Sequence, residues 1–434
     1  MSTELPSYEE ATALVAAYLG HAGRLQPLCE RVEIGRASGR VLAKPLLADR
    51  DMPPFARSTR DGFACHAREA SAHMPLTVAG LSRAGDLPAS ELHSGSAWEI
   101  MTGAPVPPGA DAVAMLEHVE TADGKIRLAP KRSLKPGANI VAQGAQARKG
   151  DELLPTGTAI SAAQVALAAA CGHSVLEVFA RPRVAILSTG DEIVPIKSLP
   201  SPGQIRNSNG PMLAAMVVAA GGEPWILPTA ADNSRALDSA VAQAMEADLL
   251  IVTGGVSAGK FDLVEPALAR AGARFHFTGV RIQPGKPLVF GELPKRSGEH
   301  GSLAPSTSAK TTLRSTAATH LPFLGLPGNP VSSAVTFLLF AAPVLAMLAG
   351  NIEASPRFAL ARLSSLAENA KAGLTRFLPA KCSFGSGGGI PEVSLVSWQG
   401  SGDIGAMAVA NCFLVLPEDA RHPEPGATVR ILLY

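Results

Sequence analysis

Charge is the scarcest ingredient of this chain. Only 17% of its residues are Asp, Glu, Lys or Arg, against about 25% in an ordinary globular domain. Neither sign dominates: 38 Lys and Arg stand against 37 Asp and Glu, a net charge of +1. A nucleic-acid binder normally carries a basic excess or stripe, so no nucleic-acid partner is expected. Cysteine is also sparse. Cys29, Cys65, Cys171, Cys382 and Cys412 lie far apart, form no C-x-x-C pair and are odd in number. This argues against a disulfide framework and for a reducing, cytoplasmic setting, with the cysteines serving as small buried apolar side chains. The ten histidines form no H-x-x-x-H or H-x-x-H pair, so no zinc site of recognised spacing is visible. A basic leader is missing as well. Glu4, Glu9 and Glu10 precede the first apolar run, which is not the pattern of a signal peptide.

What is present is apolar residue, glycine and proline. A hydrophobic share of 47% argues for a folded chain. A length of 434 residues suggests about three folding units. The 42 Gly and 35 Pro show no G-x-y period, so they belong in turns between many short elements. One run, 334–350, carries no charge. At 17 residues it reaches the lower limit for a membrane span, but Pro343, many alanines and the lack of flanking Lys or Arg favour a buried helix and no membrane partner.

Residues 1–26 read as an N-terminal helix. Ser7 and Glu10 have capping-box spacing, and Ala13, Leu14, Ala17 and Tyr18 recur at helical intervals. Residues 27–180 alternate short apolar runs with turn signals, closed by a helix over 161–170. Within them, 48–145 reads as an inserted β-rich domain, flanked by 27–47 and 146–180 as an elongated linking domain. From 181 to 350 strands alternate with helices, which predicts a parallel sheet covered on both faces. Strands are expected near 184–189, 225–227, 249–253, 287–290 and 322–326. Residues 295–320 break this rhythm. Between 301 and 320 nine residues are Ser or Thr and none is acidic, which reads as a flexible insertion. The tail, 351–434, reads as a small β domain.

Ligands of open parallel sheets bind beyond the carboxyl ends of the strands. Here those ends carry unusual loops: Ser188-Thr189-Gly190-Asp191-Glu192, then Asp232-Asn233, then Gly254-Gly255-Val256-Ser257-Ala258-Gly259-Lys260-Phe261-Asp262, then Leu326-Pro327-Gly328-Asn329-Pro330. Gln283-Pro284-Gly285-Lys286-Pro287 is an exception, because it enters its strand rather than leaving it. Gly254, Gly255 and Gly259 permit close backbone approach to a phosphate. Ser332 and Ser333 open a helix whose N–H groups suit an anion, although Ser332 also reads as a plain helix cap. Asp191, Glu192, Asp232 and Asp262 suit Mg²⁺, although Glu192 also reads as an acid placed for the helix dipole. Lys286 is a cation held between prolines. The set predicts a phosphorylated, metal-assisted ligand but leaves the reaction class open.

The ordered motifs resemble the MoeA-type molybdopterin molybdenumtransferases, whose animal relative is the C-terminal domain of gephyrin. They are Pro53-Pro54-Phe55 with Ser58-Thr59-Arg60-Asp61-Gly62-Phe63-Ala64, Ile100-Met101-Thr102-Gly103-Ala104-Pro105 with Gly109-Ala110-Asp111, and the 187–192, 254–259, 284–287 and 326–332 segments. Gln399-Gly400-Ser401-Gly402 and Ala410-Asn411 follow in the tail. The resemblance implies a four-part subunit with a molybdopterin-binding-like α/β domain and a C-terminal β-barrel. It implies an elongated homodimer with its site shared between subunits. It implies use of Mg²⁺, with molybdate and adenylylated molybdopterin as substrates, release of AMP and insertion of molybdenum. By motif match, Asp61 and Thr102 would reach the site from the partner subunit. Glu192, Asp232 and Asp262 would hold Mg²⁺ and the nucleotide end. Lys286, Pro287, Ser332, Arg376 and Ser401 would surround molybdate. Gly254, Gly255, Ser257, Gly259, Gly328 and Asn329 would bind the rest of the substrate. Two positions depart from the family: Gln283 stands where many relatives carry lysine, and Lys260 where many carry an acid.

Two other functions remain open at the level of sequence. A related adenylyltransferase would make the adenylylated pterin from ATP, but such proteins resemble only the α/β part and carry a Gly-Gly-Thr-Gly…Arg-Asp loop where Gly254-Gly255-Val256-Ser257 stands here. A gephyrin-like scaffold without catalysis would be expected to carry an extra interaction domain, which is not visible.

Overall fold

A computed structural model describes residues 5–21, 28–86, 90–255, 263–295, 319–351, 355–364, 373–385, 389–418 and 423–434. Asp262, Ser257, Gly259 and Lys260, and most of the expected insertion, lie outside the described residues.

Helix α1 (Tyr8–His21) opens with the expected capping box: the Ser7 N–H donates to Glu10 at 2.7 Å, and the Glu10 N–H donates to the Ser7 hydroxyl at 3.1 Å. Its buried stripe differs from the expected one. Tyr8, Ala11, Val15 and Leu19 face the core, while Leu14 is exposed. The helix is alanine-rich on several sides, so apolar spacing alone did not select the face.

The α/β unit is a six-stranded sheet. Its strands are β1 (Arg183–Ser188), β2 (Glu223–Ile226), β3 (Leu249–Thr253), β4 (Arg274–Thr278), a short β5 (Ile282–Gln283) that belongs to another sheet, β6 (Val289–Pro294) and β7 (His320–Leu326). The order is β2-β1-β3-β7-β6-β4. The first four strands of that order are parallel, as expected. β6 and β4 extend the sheet in antiparallel fashion. Side chains alternate between two cores. Val184, Ile186, Leu249 and Ile251 pack with α1, α2 (Asn209–Ala219) and α5 (Pro330–Leu348). Ala185, Leu187, Leu250 and Val252 pack with α3 (Ser234–Ala244) and α4 (Val264–Arg270). Burial on both faces explains why these strands read as unbroken apolar runs.

Helix α5 contains the uncharged run. It is long and apolar enough to cross a membrane by length and composition, yet 72% of its most apolar window is buried inside the protein. It widens into a π-helical turn at Phe337–Ala341. Pro343 lies two residues beyond it and has no N–H to return to the preceding turn.

The β-rich sheet contains six strands, among them Gly62–Cys65 and Ser96–Ile100, which pair antiparallel with Gly62 opposite Ile100. At the other end of the chain, Phe358–Leu363, β8 (Thr375–Ser383), Glu392–Leu395, Cys412–Leu416 and Thr428–Leu433 close into a five-stranded barrel. β5 adds to its rim, placing Gln283 opposite Arg376. None of the five cysteines forms a disulfide; Cys29 is exposed and the others are buried.

Candidate active site at the sheet edge

Ser188, Thr253 and Leu326 face one another across β1, β3 and β7, so three strands end in one row. The reversed direction of β6 removes the one exception in the sequence pattern. Val289 pairs with Gly325, so the Pro284–Pro287 loop enters β6 at the same edge that the parallel strands leave. Four loops therefore converge there. Three of them are in backbone contact: the Thr189 N–H donates to Thr253 O at 3.1 Å, and the Gly254 N–H to Leu326 O at 3.3 Å. Gly254 has φ +91°, and a Cβ there would lie 2.6 Å from Thr189 O, so only glycine fits. Gly285, at φ +117°, lets its loop press against Thr336 of α5, whose Cγ2 would be 2.7 Å from an added Cβ.

One corner of this edge is acidic. The Asp232 N–H donates to Asp191 Oδ1 at 3.0 Å, and the Asp191 N–H to Asp232 Oδ2 at 3.4 Å. The two loops thus cap each other. Partial burial raises the pKa of Asp232 above the ordinary aspartate value; the charges of Asp191 and Glu192 push the same way, against the Asp191 N–H. Among the described residues no three His, Cys, Asp or Glu side chains are already gathered as a metal cluster.

The opposite corner is built by the barrel. Arg376 is buried, and its pairing with Gln283 sets it beside the start of the Lys286 loop. The Gln283 amide oxygen is itself buried without a hydrogen-bond partner among the described residues. Lys286 is exposed, while its carbonyl accepts from the N–H groups of Val280 at 2.9 Å and Leu288 at 3.0 Å, which fixes the loop. Asn329 Nδ2 donates to Ser401 Oγ at 2.8 Å, and the Val331 N–H to Ser401 O at 3.1 Å. A barrel loop is thereby fastened to the start of α5. Ser332 is buried inside the first turn of α5; the cap position belongs to Asn329, with Pro330 at the first helical residue.

Asp61 and Thr102, 41 residues apart, meet at the rim of the β-rich sheet. Asp61 Oδ1 accepts from the Thr102 N–H at 2.6 Å and from its hydroxyl at 2.8 Å. Those two bonds, the backbone one first, hold the Asp61 carboxyl below its ordinary pKa. Among the described residues no hydrogen bond or ion pair joins this pair to the α/β edge. A cavity of about 910 Å³ lies elsewhere, between α2, α5 and the barrel, lined by residues such as Met212, Met216, Phe337, Ala346 and Leu432. It contains none of the sequence-predicted site residues. Its mostly apolar walls suit packing better than binding of a phosphorylated oxyanion, so the polar sheet edge is the better candidate.

Comparison with known proteins agrees with this architecture. Family models match three consecutive stretches: the MoeA N-terminal region (domain I and II) at 6–172, a probable molybdopterin binding domain at 185–347, and the MoeA C-terminal region (domain IV) at 364–434. A molybdopterin molybdenumtransferase of Bacillus subtilis is 33% identical over 91% of this chain and 87% of its own length. The chain belongs to the MoeA-type molybdopterin molybdenumtransferase family. Another member, from Haemophilus influenzae, is 31% identical and covered over 93% of both chains. The crystal structure of the molybdopterin biosynthesis MoeA protein from Pyrococcus horikoshii superposes with a TM-score of 0.76 at 27% identity, covering 99% of this chain and all of the other.

Sequence reasoning missed one group within this MoeA-family edge. Half-buried Asn209 and buried Thr253 and Ser333 form a polar relay under the Pro327–Asn329 turn. The local signal at Asn209 is only that of a helix start, and its partners lie 44 and 119 residues away.

Proposed function

We propose that this chain inserts molybdenum into adenylylated molybdopterin, with Mg²⁺ present and with release of AMP. The observation that carries this reading is the division of one sheet edge into an acidic corner and a corner of cation, hydroxyl and N–H groups. A phosphoanhydride and a tetrahedral dianion need those two environments side by side. Lys286, Arg376, Ser332 and Ser401, with Pro287 shaping the loop, would receive molybdate as substrate. Gly254, Gly255, Gly328 and Asn329 line the turns between the corners, where the pterin phosphate would lie.

The donor set fits Mg²⁺. Partial burial, with the charges of Asp191 and Glu192 added to it, raises the Asp232 pKa, and a divalent cation would offset both. Glu192 and Asp232 would hold it, with Asp262 from the neighbouring loop. Bound there, Mg²⁺ supplies charge neutralisation at the phosphoanhydride. Asp61, held as an anion by its two bonds from Thr102 at the rim of the β-rich sheet, would act on the site of a partner subunit in a homodimer. The small, odd number of widely spaced cysteines supports a reducing, cytoplasmic setting.

The test is AMP release by the purified protein from adenylylated molybdopterin. Release that requires both molybdate and Mg²⁺ is expected. None with all components present would sink the reading, and pyrophosphate formed from ATP and free molybdopterin would replace it with adenylyl transfer.

A further inference from the structure

We propose that Asn209 is a positioning residue for the oxyanion corner, acting through the Pro327–Asn329 turn; the proposal rests on the molybdate-transfer reading above. Asn209 is the first residue of α2. Its Nδ2 donates to Gly328 O at 2.7 Å and to Thr253 Oγ1 at 2.9 Å. A carbonyl only accepts, so Gly328 fixes which end of the carboxamide faces the turn. The Asn209 oxygen then points away and is buried with no partner among the described residues.

The relay continues from Thr253. Its hydroxyl has one proton to give, towards Pro327 O or Ser333 Oγ, each at 3.3 Å. The Ser333 hydroxyl in turn donates to Pro327 O. Thr253 and Ser333 are both buried. Two consecutive carbonyls, Pro327 and Gly328, are thus held from one side by a chain that begins at Asn209. Pro327 and Pro330 have no N–H, so these carbonyl bonds and the Ser401 contacts hold the turn between them. Its next residue, Asn329, carries the bond to Ser401. A displacement of the turn therefore displaces Ser401 and the start of α5, where Ser332 sits.

Gly328 is exposed, so water can replace the Asn209 bond without unfolding the chain. The loss should appear in placement rather than in the fold. Asn209→Asp keeps the shape but turns the donor into an acceptor facing Gly328 O.

Calorimetric titration of the full chain with molybdate, and separately with AMP, tests the proposal. Asn209→Ala and Asn209→Asp should weaken molybdate binding about tenfold or more, because a small misplacement of binding groups costs that much. AMP binding should stay within about threefold, since the relay does not touch the acidic corner. Thr253→Ser, which keeps the hydroxyl, should bind molybdate within about twofold of the parent, while Thr253→Val should follow Asn209→Ala. Parental molybdate affinity in Asn209→Asp, or equal weakening of both ligands, overturns the proposal. If the Asn209 variants fail to fold, equal molybdate affinity in Thr253→Val and Thr253→Ser overturns it instead. A parent protein that binds no molybdate overturns the functional reading itself, and that outcome is separately visible.

Discussion

Asp61 and Asp232 share one side-chain chemistry and sit in corners of opposite character. At the rim of the β-rich sheet, Thr102 gives Asp61 two hydrogen bonds and holds its pKa down. At the α/β edge, burial and the neighbouring Asp191 and Glu192 push the pKa of Asp232 up. The first carboxylate is satisfied by its own domain and stands ready as an anion. The second is partly buried beside two other carboxylates, which disfavours its charged form. A shared residue type therefore says little about role. The donors and charges around each group decide whether it offers charge or requires it.

The sharpest way to break this contrast is to separate the corners onto different subunits. Asp61→Ala and Lys286→Ala homodimers should each be inactive, and mixing them through co-expression should restore about a quarter of parental turnover, because half of the dimers then keep one intact site of two. No recovery would mean that Asp61 serves its own subunit. Next in size, Asp232→Asn should lower Mg²⁺-dependent turnover about 10²-fold. The same change should leave the metal-free thermal midpoint unchanged or higher, because it removes a repelled charge; a lower midpoint would contradict the crowded-corner description. Thr102→Val should reduce turnover about tenfold and let the Asp61 pKa rise towards its ordinary value, read by carboxyl NMR.

The smallest effect is on stability. A raised folded pKa means that Asp232 favours the fold at low pH, and that this contribution is lost as pH rises through the raised value. Asp61 behaves oppositely: its contribution is present above the unfolded pKa and is lost as pH falls through the depressed one. Mg²⁺ should therefore raise the thermal midpoint by about 2–4 °C at neutral pH and have little effect in acid, where Asp232 is protonated. Scanning calorimetry with and without Mg²⁺ at both pH values checks this.

Strand ends and their loops were legible in the sequence because apolar runs stop at Gly and Pro, as at Thr253-Gly254 and Leu326-Pro327. The direction of β6 was not legible. A short apolar run reads the same both ways, and only pairing with β7 reveals that its entrance lies at the site. Whether Ser332 caps the helix was open in sequence; the N-cap position is Asn329, with Pro330 at the first helical residue, and the Asn329 side chain bonds Ser401 rather than the helix. The Asn209 relay was invisible for a different reason. It joins a helix start, a strand end and a turn whose proximity exists only after the sheet has formed.

The reversed strand also settles where the chain has freedom to grow. β6 ends and β7 begins at the edge remote from the converging loops, with Pro294 opposite His320 and the Lys295 N–H donating to Thr319 O at 2.8 Å. The Ser- and Thr-rich stretch leaves and returns between those two residues. Its departure and re-entry points are spaced as in an ordinary hairpin, whatever length of chain lies between them. A peptide or fluorescent label grafted between Lys295 and Thr319 would therefore enter and leave the sheet at the end remote from the candidate site.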